Sequence, residues 1–256
     1  MEEIMLYTER KECIMKELAL SNVVSITELA KAFHVSTDTI RRDLKNLEQE
    51  GLLKCVRGGA CISEASLQFS NFSGREIINS DLKREATQKA VSLIRSGDII
   101  IMNSGTTNTI LAQEMISAQL ECTVITNNIA AVSVLSTCSR IHVVVLGGEL
   151  DPFERSTFGN QCETELQNYY PDICFLSINA VNDKNGFTDF RFHEIEIIKK
   201  MATQSKKVYA VMDSSKIDTT SKKIVFSNNA PLSIITDDHI SPKTIKRYMA
   251  AGISFI

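Results

Sequence analysis

Two helix starts of the same kind stand close together near the beginning of the chain, and they constrain the fold more than any other feature. Ser25 followed by Glu28 is a capping box: the serine hydroxyl takes a first-turn amide and the glutamate reaches back to the cap. Val24 and Leu29 have the spacing of a hydrophobic staple across that start. Ser36 repeats the cap, with Val35 and Ile40 as its staple. Only His34, Val35 and Ser36 separate Phe33, on the apolar side of the first of these helices, from Thr37 in the second. Helices joined so tightly cannot run antiparallel and must cross steeply, which predicts a helix-turn-helix. A charged helix with Ile14 and Leu18 on one side precedes them and stops near Ser21-Asn22.

The second capped helix resolves into faces at about 100° per residue. Ile40, Leu44 and Leu47 form an inner side, while Asp38, Arg42, Lys45 and Asn46 lie opposite, flanked by Thr39 and Arg41. Guanidinium forks suit guanine edges and phosphates, and hydroxyls and amides supply other polar contacts. The Ser36-Thr37 amides add a phosphate seat at the helix start. Gly51 ends the helix, and Leu52 to Ala60 fits a two-stranded wing with Arg57, Gly58 and Gly59 near its tip. Charge argues less clearly for such a surface. The net charge is −3, residues 1–62 carry 9 basic and 10 acidic groups, and the remainder carries 19 and 21. Asp38, Asp43, Glu48 and Glu50 are read as offsetting the local basic groups, so placement and not the sum must carry any nucleic-acid binding.

The 256 residues, 43% hydrophobic and 23% charged, leave room for two unequal domains and exclude global disorder. Apolar runs are too short to cross a bilayer, and the opening Met-Glu-Glu-Ile lacks a secretory signal, so a cytoplasmic protein is expected. Seven cysteines without a Cys-x-x-Cys read as reduced thiols. The four histidines (His34, His142, His193, His239) stand far apart without ligand spacing, so no metal and no cofactor is expected. Residues 1–62 are assigned to the first domain, the Ser-rich stretch 63–80 to a linker or ordered arm, and 81–256 to the second.

From residue 81 onward, helical stretches near 82–95, 107–118, 128–137, 192–204 and 242–251 accompany short apolar runs. The runs at 98–102, 123–126, 141–146, 174–178, 208–212, 224–226 and 232–236 are mostly apolar throughout, as strands of a parallel sheet covered on both faces are. An α/β domain with a mostly parallel sheet is expected. Polar residues gather after the strands: Asn103-Ser-Gly-Thr-Thr-Asn108, Asn127-Asn128, Gly147-Gly148, Asn179 with Asn182, Asp213-Ser-Ser-Lys216 and Asp237-Asp238. Open α/β sheets bind ligands beyond the carboxyl ends of their strands. In the first of these loops Gly105 permits a close turn, Ser104, Thr106 and Thr107 offer hydroxyls, and the next helix presents free amides to an anion. A phosphorylated small molecule fits that chemistry.

The run from Val35 to Leu44, with Thr39-Ile-Arg-Arg-Asp-Leu44 at its heart, then Leu47-Glu48, Gly51 and Arg57-Gly-Gly-Ala60, closely resembles the winged helix of DeoR-type bacterial transcriptional regulators. Ser104-Gly-Thr-Thr107, Thr126-Asn127, Gly147-Gly148, Gly159, Glu194 and Asp213 with Lys216 resemble the effector domain that follows it, similar in fold to ribose-phosphate isomerase. The resemblance spans nearly the whole chain. It implies a DNA-binding regulator, a repressor of sugar-metabolism genes released by a phosphorylated sugar, binding double-stranded operator DNA as a homodimer or homotetramer. DNA contacts would come from Ser36, Thr37, Thr39, Arg41, Arg42, Lys45, Arg57, Gly58 and Gly59. It places the phosphate on Ser104–Thr107 and the sugar hydroxyls toward Asn127, Asn179, Glu194, Asp213 and Lys216, with Asn103, Thr126, Gly147 and Gly148 completing the site. Many relatives carry Asp where this chain has Asn103 and an acid where it has Asn179; the amide keeps the size but exchanges charge for donors. The alternatives are a protein-interaction module with a solvated Arg pair and a sugar-phosphate isomerase with an accessory domain. An isomerase needs a carboxylate base, and Ile178-Asn-Ala-Val-Asn182 has none, leaving Glu194 and Asp213.

Overall fold

The computed structural model describes residues 5–21, 23–56, 58–62 and 72–256. They divide into two compact units, Met1–Asn79 and Ser80–Ile256. In the first, helix α1 (Tyr7–Ser21) precedes a short strand β1 (Val23–Ser25), helix α2 (Ile26–Ala32) and helix α3 (Thr37–Gln49). Both expected caps form: Ser25 Oγ accepts from the Glu28 amide at 3.5 Å and Ser36 Oγ from the Thr39 amide at 3.1 Å. Between the helices His34 turns the backbone with φ of +53°, and the Val35 amide returns to the Ala30 carbonyl at 3.1 Å. The core joins Ile14, Met15 and Leu18 of α1 to Leu29, Ile40, Leu44 and Leu47, all at most 4% exposed.

Strands β2 (Lys54–Val56) and β3 (Gly59–Cys61) form the wing, but the sheet has a third member. β1 pairs antiparallel with β3, Val24 opposite Ala60, so the residues read as staple and cap also form a strand. A Cβ on Gly59 would lie 1.9 Å from the Val24 carbonyl oxygen, so glycine is what lets the two strands pair. Asp43 also departs from its expected role. It is 3% exposed and pairs with Arg10 of α1, at 2.7 Å to Nε and 3.1 Å to Nη2, so it ties α3 to α1 instead of balancing surface charge. In the stretch expected as a linker, residues 63–71 lie outside the described residues, while Phe72–Ile77 form helix α4, which packs on α1.

The second unit runs α5 (Ser80–Val91), β4 (Ile99–Met102), α6 (Thr106–Ser117), β5 (Cys122–Thr126), α7 (Ile129–Leu135), β6 (Ile141–Val145), β7 (Glu149–Asp151), β8 (Ser156–Phe158), α8 (Asn160–Glu165), β9 (Ile173–Leu176), β10 (Ala180–Asn182), β11 (Gly186–Asp189), α9 (Ile195–Gln204), β12 (Lys207–Val211), β13 (Lys223–Phe226), β14 (Ser233–Ile235), α10 (Pro242–Ala250) and β15 (Ser254–Phe255). Seven strands form one parallel sheet in the order β15-β14-β12-β9-β4-β5-β6. Two apolar clusters, one around Leu176, Ile197 and Ile234 and the other around Ile100, Val124 and Phe175, make up its core. The run at 224–226 is a strand outside this sheet. As β13 it pairs antiparallel with β11, which pairs with β10, and its exposed Lys223 and Ile224 suit a small surface sheet. β7 and β8 form a separate hairpin.

Chain order explains where a site belongs. From β4 the sheet grows through β5 to β6, then the chain returns to the other flank of β4 with β9 and grows through β12, β14 and β15. The reversal lies between β4 and β9, and ligands of open α/β sheets bind at such switch points. Among the described residues no helix is long and apolar enough to cross a membrane.

Candidate functional site

Two surfaces meet the chemistry expected from the sequence, one on each unit. On the first, Ser36, Thr37, Arg41, Arg42 and Lys45 are exposed along α3, opposite the buried Ile40, Leu44 and Leu47. Ser36 serves as cap, and its hydroxyl is also 2.9 Å from Thr39 Oγ1, so both side chains are engaged with the helix start. Arg41 pairs with Asp38 at 2.6 Å in full solvent, where an ion pair adds little. Among the described residues no hydrogen bond or ion pair holds Arg42 or Lys45, which leaves their donors open. A groove of about 490 Å³ runs between α3 and the wing, lined by Asp38, Arg41, Arg42, Lys45, Gly58 and Gly59 among others. Gly58 is exposed with φ of +85°, whereas Gly59 is buried in the strand pairing. Arg57 lies outside the described residues. Glu48, read as a charge offset, accepts the Cys55 amide at 2.7 Å and docks the wing on α3.

The second surface lies at the switch point. Gly105 stands at the N-terminus of α6 with φ of +113° and ψ of 153°, a region closed to side chains. A Cβ there would meet Ser177 Oγ at 2.6 Å. No side chain caps α6; its ladder begins with the Thr109 amide on the Gly105 carbonyl at 3.1 Å. The amides of Thr106, Thr107 and Asn108 therefore have no acceptor among the described residues, although the whole first turn is at most 5% exposed. Unspent amides at a helix start carry positive potential and attract an anion.

The polar residues around this turn are mostly spent on holding it. Asn103, fully buried, accepts the Ser177 amide at 2.7 Å and donates to the Ser177 carbonyl at 3.0 Å, clasping the ends of β4 and β9. An aspartate there would lose the donor. Thr126 donates to the Met102 carbonyl at 2.6 Å, and Asn128 caps α7. Ser104 donates to Glu194 Oε2 at 2.5 Å, and Ser156 to Glu194 Oε1 at 2.7 Å. Burial pushes the Glu194 carboxyl above the usual carboxylate range, while Arg191 and the two serine hydroxyls pull it back only in part. Gly147 donates its amide to Glu165 and Gly148, with φ of +140°, lies against the Phe158 carbonyl; both place the β7–β8 hairpin.

Open valences remain at several buried amide oxygens, those of Asn108, Asn127 and Asn179 among them. Asn127 donates to the Thr157 carbonyl at 2.8 Å, and its Oδ1 is buried without a partner among the described residues; Asn179 Oδ1 is likewise unpartnered. Asp213 accepts from the Ser215 amide at 3.2 Å and starts a short 3-10 turn to Lys216, which is half-buried. No hydrogen bond or ion pair ties Lys216 to the Gly105 loop among the described residues. His193 is exposed and its ring rests on Phe158, with centroids 5.0 Å apart.

Sequence reasoning missed the most heavily bonded pair in the site. Asp189 is fully buried and Arg191 7% exposed, and the guanidinium grips Asp189 through Nε at 2.9 Å and Nη2 at 2.6 Å. Burial alone would raise the Asp189 carboxyl, but the charge and hydrogen bonds of Arg191 hold it below the usual range. Burial likewise pulls Arg191 down, and Asp189 and Glu194 outweigh it. The sequence signal was only a charged pair with one residue between, Asp189-Phe-Arg191, in a stretch left outside the expected strands and helices.

A winged helix with open basic side chains, followed by an α/β unit with a buried anion-attracting turn at its switch point, is the layout of a DNA-binding transcriptional regulator with a sensor domain. Residues 10–65 match the DeoR-like helix-turn-helix domain and residues 78–238 the DeoR C terminal sensor domain. The chain belongs to the DeoR family of transcriptional regulators. It is 30% identical over 96% of its length to the HTH-type transcriptional regulator GolR of Listeria innocua, covering 96% of that protein. It is 28% identical to the putative aga operon transcriptional repressor of Escherichia coli O157:H7, with 97% of this chain and 93% of the relative covered. With the HTH-type transcriptional repressor GlcR of Bacillus subtilis it shares 32% identity, over 83% of this chain and 81% of the relative. Ribose 5 phosphate isomerase A from Neisseria gonorrhoeae superposes with a TM-score of 0.41 at 17% identity, over 55% of this chain and 54% of that chain.

Proposed function

We propose that the protein is a repressor of sugar-metabolism genes whose grip on operator DNA is modulated by a phosphorylated sugar. The observation that carries the effector half is the buried, uncapped start of α6 at the switch point, where Gly105 leaves the amides of Thr106, Thr107 and Asn108 unspent. The phosphate sits on those amides with the Thr106 and Thr107 hydroxyls. Sugar hydroxyls donate to Asn127 Oδ1 and Asn179 Oδ1, two of the buried acceptors without partners among the described residues, and reach toward Asp213 and Lys216. The relatives whose names say repressor support the sense of regulation.

The winged helix reads duplex DNA with Arg42 and Lys45, assisted by the Ser36-Thr37 helix start, the exposed Gly58 and the basic Arg57. A symmetric operator calls for a homodimer or a homotetramer built from dimers. Effector and operator affinities are linked reciprocally, so a ligand that prefers the DNA-free state must be weakened by DNA to the same factor. Binding, and not catalysis, is what the site supports. Both oxygens of Glu194 are occupied by serine hydroxyls, so it is not free to take a proton from carbon.

The test is an operator-release assay on the promoter fragment beside the protein's own gene, run against a panel of aldose and ketose phosphates. Release by at least one of them, lost in Thr106→Val with operator affinity kept, is the expected result. Arg42→Ala should weaken operator binding by about 1–3 kcal/mol if it reads a base. Turnover of any panel member overturns the non-catalytic reading, and a Thr106→Val protein that responds normally overturns the phosphate placement.

A further inference from the structure

Every N–H of the Arg191 guanidinium is committed within the protein. Nε and one Nη2 proton go to Asp189, the other Nη2 proton to the Ser177 carbonyl at 2.7 Å, and Nη1 to the Ser104 carbonyl at 3.0 Å and Ser104 Oγ at 2.7 Å. A guanidinium has five such donors in one plane, so none remains for a ligand. Ser104 closes the β4 end and Ser177 the β9 end, so the fork spans the switch point and anchors both sides to β11. Asn103 adds a second donor to the same Ser177 carbonyl.

The Ser104 carbonyl matters most. Were α6 to begin one residue earlier, that oxygen would accept the Asn108 amide in the helical i to i−4 pattern. Here Arg191 holds it instead, Gly105 turns away from helical geometry, and the ladder starts at Thr109. The same closeness excludes a side chain at 105, because a Cβ there would approach Arg191 Nη1 to 3.2 Å.

We propose that the Asp189–Arg191 pair is a positioning device for the effector's anion: it captures the Ser104 and Ser177 carbonyls, sets where α6 begins, and so keeps the Thr106–Asn108 amides open without touching the ligand. The proposal rests on the reading that the anion sits at that turn. A lysine at 191 keeps the charge but offers one point of donation in place of a fork, so charge and geometry separate.

Amide hydrogen exchange of the full chain, free and with inorganic phosphate or the sugar phosphates of the panel, tests this. In Arg191→Lys without ligand, exchange at Asn108 within residues 104–108 should slow roughly tenfold or more, because the freed Ser104 carbonyl takes its amide, while the seven-stranded sheet keeps its protection. Protection of that segment by phosphate should weaken by a similar factor, with operator affinity of the free protein unchanged. The double variant Asp189→Leu with Arg191→Met, which removes the two opposite charges together and leaves Glu194 held by the Ser104 and Ser156 hydroxyls, should fold and show the same slowed Asn108 amide. Unchanged exchange at 104–108 in both variants overturns the proposal, as does a loss of protection spread evenly over the domain. If none of these anions protects 104–108 in the wild-type chain, the placement of the anion falls; if they protect wild type and variants alike, the positioning role falls while that placement stands.

Discussion

Replacing Asp43 by alanine removes one half of the ion pair that fastens helix α3, whose outer face carries Arg42 and Lys45, to α1. Both partners are sequestered, Arg10 at 8% exposure and Asp43 at 3%, and the pair is bidentate. Cutting a buried pair costs about 3–5 kcal/mol, chiefly because the surviving charge stays desolvated and unpaired. The first unit spans Met1–Asn79, and at roughly 0.05–0.15 kcal/mol per residue its whole stability is about 4–12 kcal/mol. One substitution therefore removes about a quarter of it or more. A domain of this size shifts by about 4–8 °C per kcal/mol, so calorimetry of the full chain should show the first unit's transition falling by at least about 12 °C. The sensor domain's transition should stay in place, and operator binding should vanish at temperatures where the first unit has melted. Arg10→Met with Asp43→Leu supplies the counter-test, since an apolar pair of similar bulk replaces a buried ion pair at little cost. That double variant should recover both the transition and operator affinity. A shift of only a few degrees for Asp43→Ala would refute the buried-pair argument. A stable double variant that fails to bind DNA would show that Asp43 acts at the DNA and not between helices.

Three further outcomes follow from close approaches and charge. Gly59→Ala must open the β1–β3 pairing, since its Cβ would stand 1.9 Å from the Val24 oxygen; a loss of about 3 kcal/mol or more in urea unfolding, with weakened operator binding, is expected. Gly105→Ala, with φ of +113° and Ser177 Oγ 2.6 Å from the new carbon, should cost roughly 1–3 kcal/mol for the backbone alone and abolish effector response while sparing DNA binding. Acid should weaken the sensor domain because Asp189, Asp172 and Asp218 are held below their ordinary range. The unfolded chain then binds more protons, so stability is present above about pH 4 and is lost as pH falls through the lowered folded values. Glu194 has the opposite sign: its folded value is raised, so the folded chain binds the extra proton and stability falls as pH climbs from about 4 through that value. Urea unfolding across pH should show the second slope disappear in Glu194→Gln.

Much of the architecture was written in local pattern. Ser25 and Ser36 announced the two helices because a cap is a contact between near neighbours, satisfied by the same few residues that spell it. The parallel strands were legible because burial on both faces demands continuous apolar runs, and the Ser104–Thr107 loop was legible because glycine and hydroxyls at a strand end carry their chemistry with them. Strand β1 was not legible. Three residues hold no period, and their partner β3 lies far along the chain. Nor was the destination of 224–226, which depended on pairing with β11 and not on its own composition.

Sequence alone, then, determined that this chain carries a helix-turn-helix with basic side chains outward and a Ser-Gly-Thr-Thr turn after a strand of an α/β domain, because each depends on residues within a turn or two of one another. Tertiary structure decided which polar groups are free to bind and which are already spent. Ser104, Glu194, Asn103 and Thr126 have the chemistry of ligand contacts but already hydrogen-bond to partners elsewhere in the domain. Asp189 and Arg191 carried little signal in the sequence pattern yet hold the switch point together. A hydrogen bond uses up a donor and an acceptor wherever along the chain they come from, and only the folded chain shows which have already been used.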